Sequence, residues 1–286
     1  MNIYKKLNQS IEYIENNLEN NIETKRIAQI LEMNEQLAQN IFYCICGISI
    51  SEYVRNRRLS NSGFDLYNTN MSIVDIAVKY QYTSATSFSR AFEKFHNIKP
   101  SQIKNGQKKL RVYSRIKLQE IEEKNSSIEY EIIDQEQMGL YGTYIETTIE
   151  EIRKVAPDFW FEIYYKYKEK YGDIDYGMTS YDNRFECNKC KYWVLYKNEV
   201  NEKEFQKVIL PKSKWIVFKT KTQDTKEIQE TTQKIYKEFI PSTKYKFKEL
   251  PELEYYHNNI VEIMMPLEEN WFFLYRKSQS FFIKKM

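Results

Sequence analysis

IVDIAVKYQYTSATSFSRAFEKFHNIKPSQIK, residues 73–104, decides how the first half of this chain folds. Ser72, just ahead of it, forms an S-x-x-[DE] pattern with Asp75, in which hydroxyl and carboxylate each satisfy an orphan N–H at a helix start. Ile76, Ala77 and Tyr80 follow at the spacing of one helix face. Ser84 can cap a second helix carrying Phe88, Ala91, Phe92 and Phe95, and Pro100 suits the first position of another. A short helix, a tight turn and a longer helix in succession predict a helix-turn-helix unit.

Working upstream, Ile3, Leu7, Ile11, Ile14 and Leu18 lie on one helical stripe, and Ile27, Ile30 and Leu31 on a second. Asn34 can cap a third helix with Leu37, Ile41 and Phe42, which Gly47 ends. Ser51 is the expected cap of a longer helix carrying Tyr53, Val54, Leu59 and Leu66. Two pairs of short and reading helix therefore emerge, 24–46 and 72–96, joined by the long helix. Phe42 and Phe92 hold equivalent places in them.

Composition divides the chain the same way. Residues 1–120 carry 17 basic and 11 acidic side chains, a net of +6, which leaves 26 and 29, a net of −3, for the remainder of the 43 and 40. All four Trp lie in the second part. A basic half followed by an acidic, aromatic-rich half points to nucleic acid for the first and to another ligand for the second. No apolar run approaches the ~18–20 residues of a membrane span, and the start lacks a signal-peptide core, so no membrane partner is expected. Four Cys make no disulfide framework, and the expected location is cytoplasmic. Seven Gly, with neither GxGxxG nor GxxxxGK[ST], argue against a Gly-rich phosphate-cradling loop, and no cofactor is expected.

The segment 73–104 closely resembles the second helix-turn-helix of AraC/XylS-family transcription regulators. IEYIENNLENNIETKRIAQILEMNEQLAQNIFYCICGISISEYVRNRRL, upstream, resembles the first. The resemblance covers 3–107 and implies an all-α DNA-binding domain, 1–110, with two heads about one DNA turn (~34 Å) apart. It implies base contacts from Gln36, Gln39 and Asn40 in the first head and from Ala85, Thr86, Ser89 and Arg90 in the second. Gln or Asn suits adenine, and Arg suits guanine. Arg55, Arg57, Arg58, Lys99 and Lys104 are candidates for phosphate. The competing reading makes Gln36, Ala85 and Thr86 merely solvated, and 55–58 the wet face of the long helix. Departures from the family pattern are Asn40 for Arg, Gln81 and Asn97 for Gly, and Gly63 for Ala. At Gln81 a positive φ would cost ~1 kcal/mol, and Gly63 should weaken its helix by as much.

Residues 105–127 are highly charged and read as a helical tail grading into a linker, 111–127. Beyond it, strand-like runs fall at 128–133, 140–145, 176–181, 192–196, 214–220, 253–257 and 261–265. Helices are expected over 148–171, kinked or restarted at Pro157, and from an Asp224 cap to about 239. The result is an α+β domain, 128–286, with an antiparallel sheet and two helices in a weak internal duplication. CKYWV (190–194), ILPKSKWIVF (209–218), IYKEFIPSTKYKF (235–247) and VEIMMP (261–266) resemble the GyrI-like effector-binding domain over about 128–266, with Leu195 where Gly is common. That resemblance implies a small-molecule effector and multidrug sensing. By its E-I-x-x-P motif, Glu262 faces the ligand cavity.

A carboxylate in an apolar strand is costly unless paired, and a cationic, aromatic effector would pair it. Trp160, Tyr164, Tyr176, Trp193 and Trp215 are candidate π faces for that cation. The competing readings pair Glu262 with a lysine of a neighbouring strand and place the aromatics in the core. Cys187-x-x-Cys190 has ligand spacing without the other two zinc ligands, so no metal is expected. No catalytic constellation is visible, and the chain is not expected to be an enzyme. The expected function is ligand-controlled transcription regulation, more in the sense of an activator, with double-stranded DNA, a small effector and RNA polymerase as partners. The alternatives are a hydrolase of small electrophilic compounds and a partner-docking module using the apolar tail 267–286.

Overall fold

A computed structural model describes residues 2–104, 109–119, 128–181 and 189–268; the tail beyond 268, Cys187 and most of 105–127 lie outside the described residues. Contacts divide the chain into two units, Met1–Glu35 with Cys46–Ile121, and Gln36–Ile45 with Glu122–Met286.

In the first unit the helices are α1 (Ile3–Asn16), α2 (Thr24–Leu31), α4 (Ile50–Asn68), α5 (Ile73–Lys79), α6 (Ala85–His96) and α7 (Pro100–Lys104), while α3 (Glu35–Cys46) is grouped with the second. The apolar stripes are buried as their spacing requires: Ile3, Leu7, Ile11 and Ile14 on α1, and Phe88 and Phe92 on α6 against Leu59, Leu66, Ile76 and Ala77. Ser72 and Asp75 form the full capping box, and the Ser84 hydroxyl accepts from the Ser87 N–H. The cap of α4 is Ser49, not Ser51: Ser49 is extended and accepts from the Glu52 N–H, whereas Ser51 lies inside the first turn. Gln81 and Asn97 take φ of 65° and 60°, the left-handed conformation expected where glycine is usual. The Gln81 side chain donates to the Glu19 carbonyl at 2.7 Å.

Gly63 has a packing reason. A Cβ there would stand 3.1 Å from the His96 ring and from Leu110. His96 is buried, with Nε2 at 3.0 Å from the Leu59 carbonyl and Nδ1 accepting from the Arg111 N–H at 3.1 Å. Instead of a helical tail, 109–119 form an extended strap with no helix. The Tyr113 N–H donates to Ser60, the Ile116 N–H to Tyr53, and Leu118 exchanges two hydrogen bonds with Asn8. Side chains of the helices thereby take up backbone groups that an isolated extended segment would leave to water.

The second unit holds β1 (Glu131–Gln135), β2 (Met138–Thr148), α8 (Ile152–Tyr171), β3 (Tyr176–Tyr181), β4 (Lys189–Tyr196), β5 (Gln206–Leu210), β6 (Ser213–Lys219), α9 (Thr225–Lys234), β7 (Glu252–His257) and β8 (Ile260–Leu267). A π-helical turn, Ile235–Phe239, and a last short helix, α10 (Ile240–Ser242), extend α9. The strands form one antiparallel sheet in the order β1-β6-β8-β7-β3-β4-β2-β5. Exchanging β1 with β5, β2 with β6, β3 with β7 and β4 with β8 reproduces that order reversed, so the duplication is an approximate two-fold in which each half lends its first strand to the other's edge. β5 has no sequence signature: Gln206, Lys207 and Ile209 are exposed, as on an edge strand. Pro157 lies within α8 and cannot donate to the Arg153 carbonyl; the Gln229 side chain of α9 donates to it instead, at 2.9 Å.

Candidate functional site

On α6, Thr86 and Arg90 are exposed one turn apart, with Ala85 and Ser89 half-buried beside them. Phe88, Phe92 and His96 anchor the opposite face in the core. The four predicted reading residues of the second head therefore share one accessible helix face. The long helix gives a different result. Arg57 forms a bidentate pair with Glu15, at 2.9 and 2.8 Å, and also donates to the Tyr113 carbonyl. Its side chain is 13% exposed. The guanidinium is thus consumed inside the unit, which corrects its expected phosphate contact. Arg58 likewise donates to the Leu18 and Asn20 carbonyls beyond α1, and Arg55 remains exposed.

In the second unit, side chains alternate between the two faces of the sheet. One face packs Tyr176, Met178, Trp193, Leu195, Trp215, Val217 and Met264 into a core. The other carries Thr179, Tyr181, Tyr192, Glu252, Glu254, Tyr256 and Ile263, which line a cavity of about 260 Å³ with residues of α8, α9 and α3. Glu262 neighbours Ile263 in β8 and so points to the opposite face, where it meets His257 Nε2 at 3.2 Å and Lys219 Nζ at 3.5 Å. Four predicted ligand residues, Glu262, Tyr176, Trp193 and Trp215, lie together on that opposite face and do not line this cavity. Tyr164 stacks on Trp160 at 5.0 Å without lining it, and Trp160 does line it.

The acidic groups of the cavity are Glu252 and Glu254, two residues apart on β7 and hence on one face. Both residues are half-buried. Burial pushes Glu252 up to about 7, against hydrogen bonds from Tyr236, Asn40 and Gln36 that favour its charged form; neighbouring Glu254 adds to the rise. Burial also raises Glu254, which accepts from Tyr192 at 3.1 Å and from Tyr256 at 2.8 Å. Gly177 makes that arrangement possible, because a Cβ there would stand 2.7 Å from both the Glu254 carboxylate and the Tyr192 hydroxyl. Arg153 is the one cation among the described lining residues; it lies over the Tyr43 ring and donates to Cys44 Sγ at 3.5 Å. No ion pair joins it to either glutamate among the described residues.

Asn40 completes the wall. Its Nδ2 donates to the hydroxyls of Tyr181 and Tyr236, each at 2.9 Å, and to Glu252 Oε1 at 3.3 Å. Gln36 and Gln39 are partly exposed on the same helix. Sequence reasoning missed Glu252, Glu254 and the tyrosines around them. The alternation E-x-E-x-Y over 252–256 was the available signal: acidic and aromatic side chains on one face of a strand whose other face is apolar.

The first unit is built of helix-turn-helix elements and the second of a duplicated α+β sheet. Residues 27–106 match the family model of a helix-turn-helix domain, and 128–268 that of the integron-associated effector binding protein. The chain belongs to the AraC-type helix-turn-helix regulators, with a GyrI-like effector-binding module behind the DNA-binding half. It is similar to the HTH-type transcriptional activator AarP of Providencia stuartii, with 37% identity over 89 residues, 31% of this chain and 66% of that protein. It thus spans just under two thirds of the length of that relative. The probable transcription factor PqrA of Proteus vulgaris is 33% identical over 100 residues, 34% of this chain and 82% of that protein. Among solved structures, an integron cassette protein from the mobile metagenome of Vibrio cholerae aligns at a TM-score of 0.41 and 16% identity, over 49% of this chain and 95% of that one. Among the described residues, no helix is long and apolar enough to cross a membrane.

Proposed function

We propose that this chain is a transcription regulator whose second unit binds a compact lipophilic cation. One observation carries the ligand class: two half-buried carboxylates, Glu252 and Glu254, stand in an aromatic-walled cavity and pair with no cation among the described residues. Burying a carboxylate is costly unless a charge compensates it. A permanent cation would supply that charge, and Trp160, Tyr192, Tyr236 and Tyr256 offer ring faces around it. The α6 face with Thr86, Ser89 and Arg90 supports sequence-specific DNA contact. Regulation through RNA polymerase, and action in the cytoplasm where the DNA lies, belong to the same reading. A hydrolytic reading gains no support from this cavity, whose described lining contains no histidine.

The test is a tryptophan-fluorescence titration of the full chain with tetraphenylphosphonium, a rigid cation without hydrogen-bonding groups. Trp160 lies in the cavity wall, so saturable quenching is expected. Glu252→Gln should weaken binding about tenfold or more, the equivalent of ~1.4 kcal/mol, while Glu262→Gln should leave it unchanged. Equal effects of the two substitutions, or no quenching, would overturn the assignment.

A further inference from the structure

The two helix pairs are joined by more than α4. Just past α1, residues 18–20 receive side chains from three later elements. Arg58 of α4 donates to the Leu18 and Asn20 carbonyls at 2.8 and 2.7 Å, and Lys79 of α5 reaches the Glu19 carboxylate at 3.1 Å. Gln81, in the turn between α5 and α6, donates to the Glu19 carbonyl at 2.7 Å. Its φ of 65° is one that glycine would adopt without strain. The strain is offset by a bond that no glycine can make, and that bond ties the turn of the second pair to α1, which packs on α2 of the first. The strap makes a second tie. Its N–H groups at Arg111, Tyr113, Ile116 and Leu118 donate to His96 of α6, Ser60 and Tyr53 of α4, and Asn8 of α1. His96, Ser60 and Tyr53 are buried, so departure of the strap would strip three buried acceptors of a donor at once. One extended segment thus runs from the second pair to α1, and it lies beyond residues 27–106 that match the helix-turn-helix family.

We propose that Gln81 and the strap clasp the two helix pairs into a reader of fixed span, and so determine the spacing of the DNA segments that the chain accepts. α4 alone would leave a hinge at each of its ends, because the termini of an element absorb backbone rotation. The two ties bridge those hinges. One base pair inserted between the segments turns one against the other by about a tenth of a helical turn, which a fixed span cannot follow. The clasp rests on DNA contact by the first unit and operates whichever ligand the second unit takes.

The full chain selects a duplex from a randomised pool, and footprinting marks the two segments it protects. Affinity is then measured on that duplex and on versions with one base pair inserted or removed between the segments. The parent should lose about tenfold or more for either change, the scale of one forfeited base contact. Gln81→Gly removes a tie while easing the backbone, so it should melt no lower than the parent and lose about threefold or less for the same changes. Asn8→Ala combined with Tyr113→Ala, checked for folding by circular dichroism, should loosen the discrimination in the same way. A parent that protects a single segment, or tolerates the inserted base pair, would overturn the fixed span. Gln81→Gly that binds every duplex as the parent does, or is weakened equally on all of them, would overturn the role of Gln81. The same result in the double variant would overturn that of the strap.

Discussion

Glu252 and Glu262 sit on neighbouring strands of one sheet, yet only the first faces the cavity. A strand reverses its side chains at every residue, so Glu252 and Glu262 serve opposite faces of the sheet. Glu262 is held by His257 and Lys219, whereas Glu252 has hydroxyl and amide donors and, among the described residues, no cation. Its elevation to about 7 gives a pH signature. Below that value the carboxyl is protonated and must lose its proton before it can pair with a permanent cation. Affinity for tetraphenylphosphonium should therefore rise about tenfold from pH 6 to pH 8, with Glu254, also raised, adding to the slope. Titrations at the two pH values check this, and Glu252→Gln should flatten the dependence. An affinity that falls with pH would contradict it.

Among the elements, the two arginines of the first unit have separable consequences. Arg90 is exposed on α6, so Arg90→Ala should leave the melting temperature unchanged and weaken binding to a duplex selected by the chain by about 1–3 kcal/mol. Arg57 is paired with Glu15 at 13% and 11% side-chain exposure, and Arg57→Ala would leave that carboxylate buried without its cation. It should cost about 3 kcal/mol of stability, read from thermal melts of the same two variants. Periodicity and caps made the helices legible: Ser72, Ser84 and Asp224 cap where the sequence places them. Arg57 was not legible, because Glu15 lies on another helix and a run of arginines looks the same whether it faces phosphate or a buried carboxylate. The strap over 109–119 escaped for a similar reason. Its charged sequence resembles an exposed helix, and its backbone partners Asn8, Tyr53 and Ser60 are far away in the chain.

At the level of the whole molecule, the division into a helical reader and a duplicated α+β module was legible from charge, aromatic content and the order of strands and helices. What could not be read was which strand neighbours which, since β1 and β5 cross to the edge of the opposite half. The two units also carry opposite proton linkage. In the second, the folded state holds Glu252 at about 7 against an ordinary 4.5, so it binds a proton that the unfolded chain has released. That contribution is complete below about pH 4.5 and is lost as pH rises through 7; from pH 5.5 to 7.5 it amounts to about 2 kcal/mol. In the first unit, burial lowers the His96 pKa, and the Arg111 N–H needs the lone pair on Nδ1. This contribution is present above the ordinary histidine value of ~6.5 and is lost as pH falls below it. Acidification from pH 7.5 to 5.5 should therefore stabilise the second unit and destabilise the first. Tryptophan fluorescence follows the second alone, since all four Trp lie there, and hydrogen exchange over 85–103 follows the first. The fluorescence-detected melting temperature should rise while protection over 85–103 falls, and Glu252→Gln should flatten only the former. Parallel movement of the two signals with pH would mean that these groups do not govern the stability of their units.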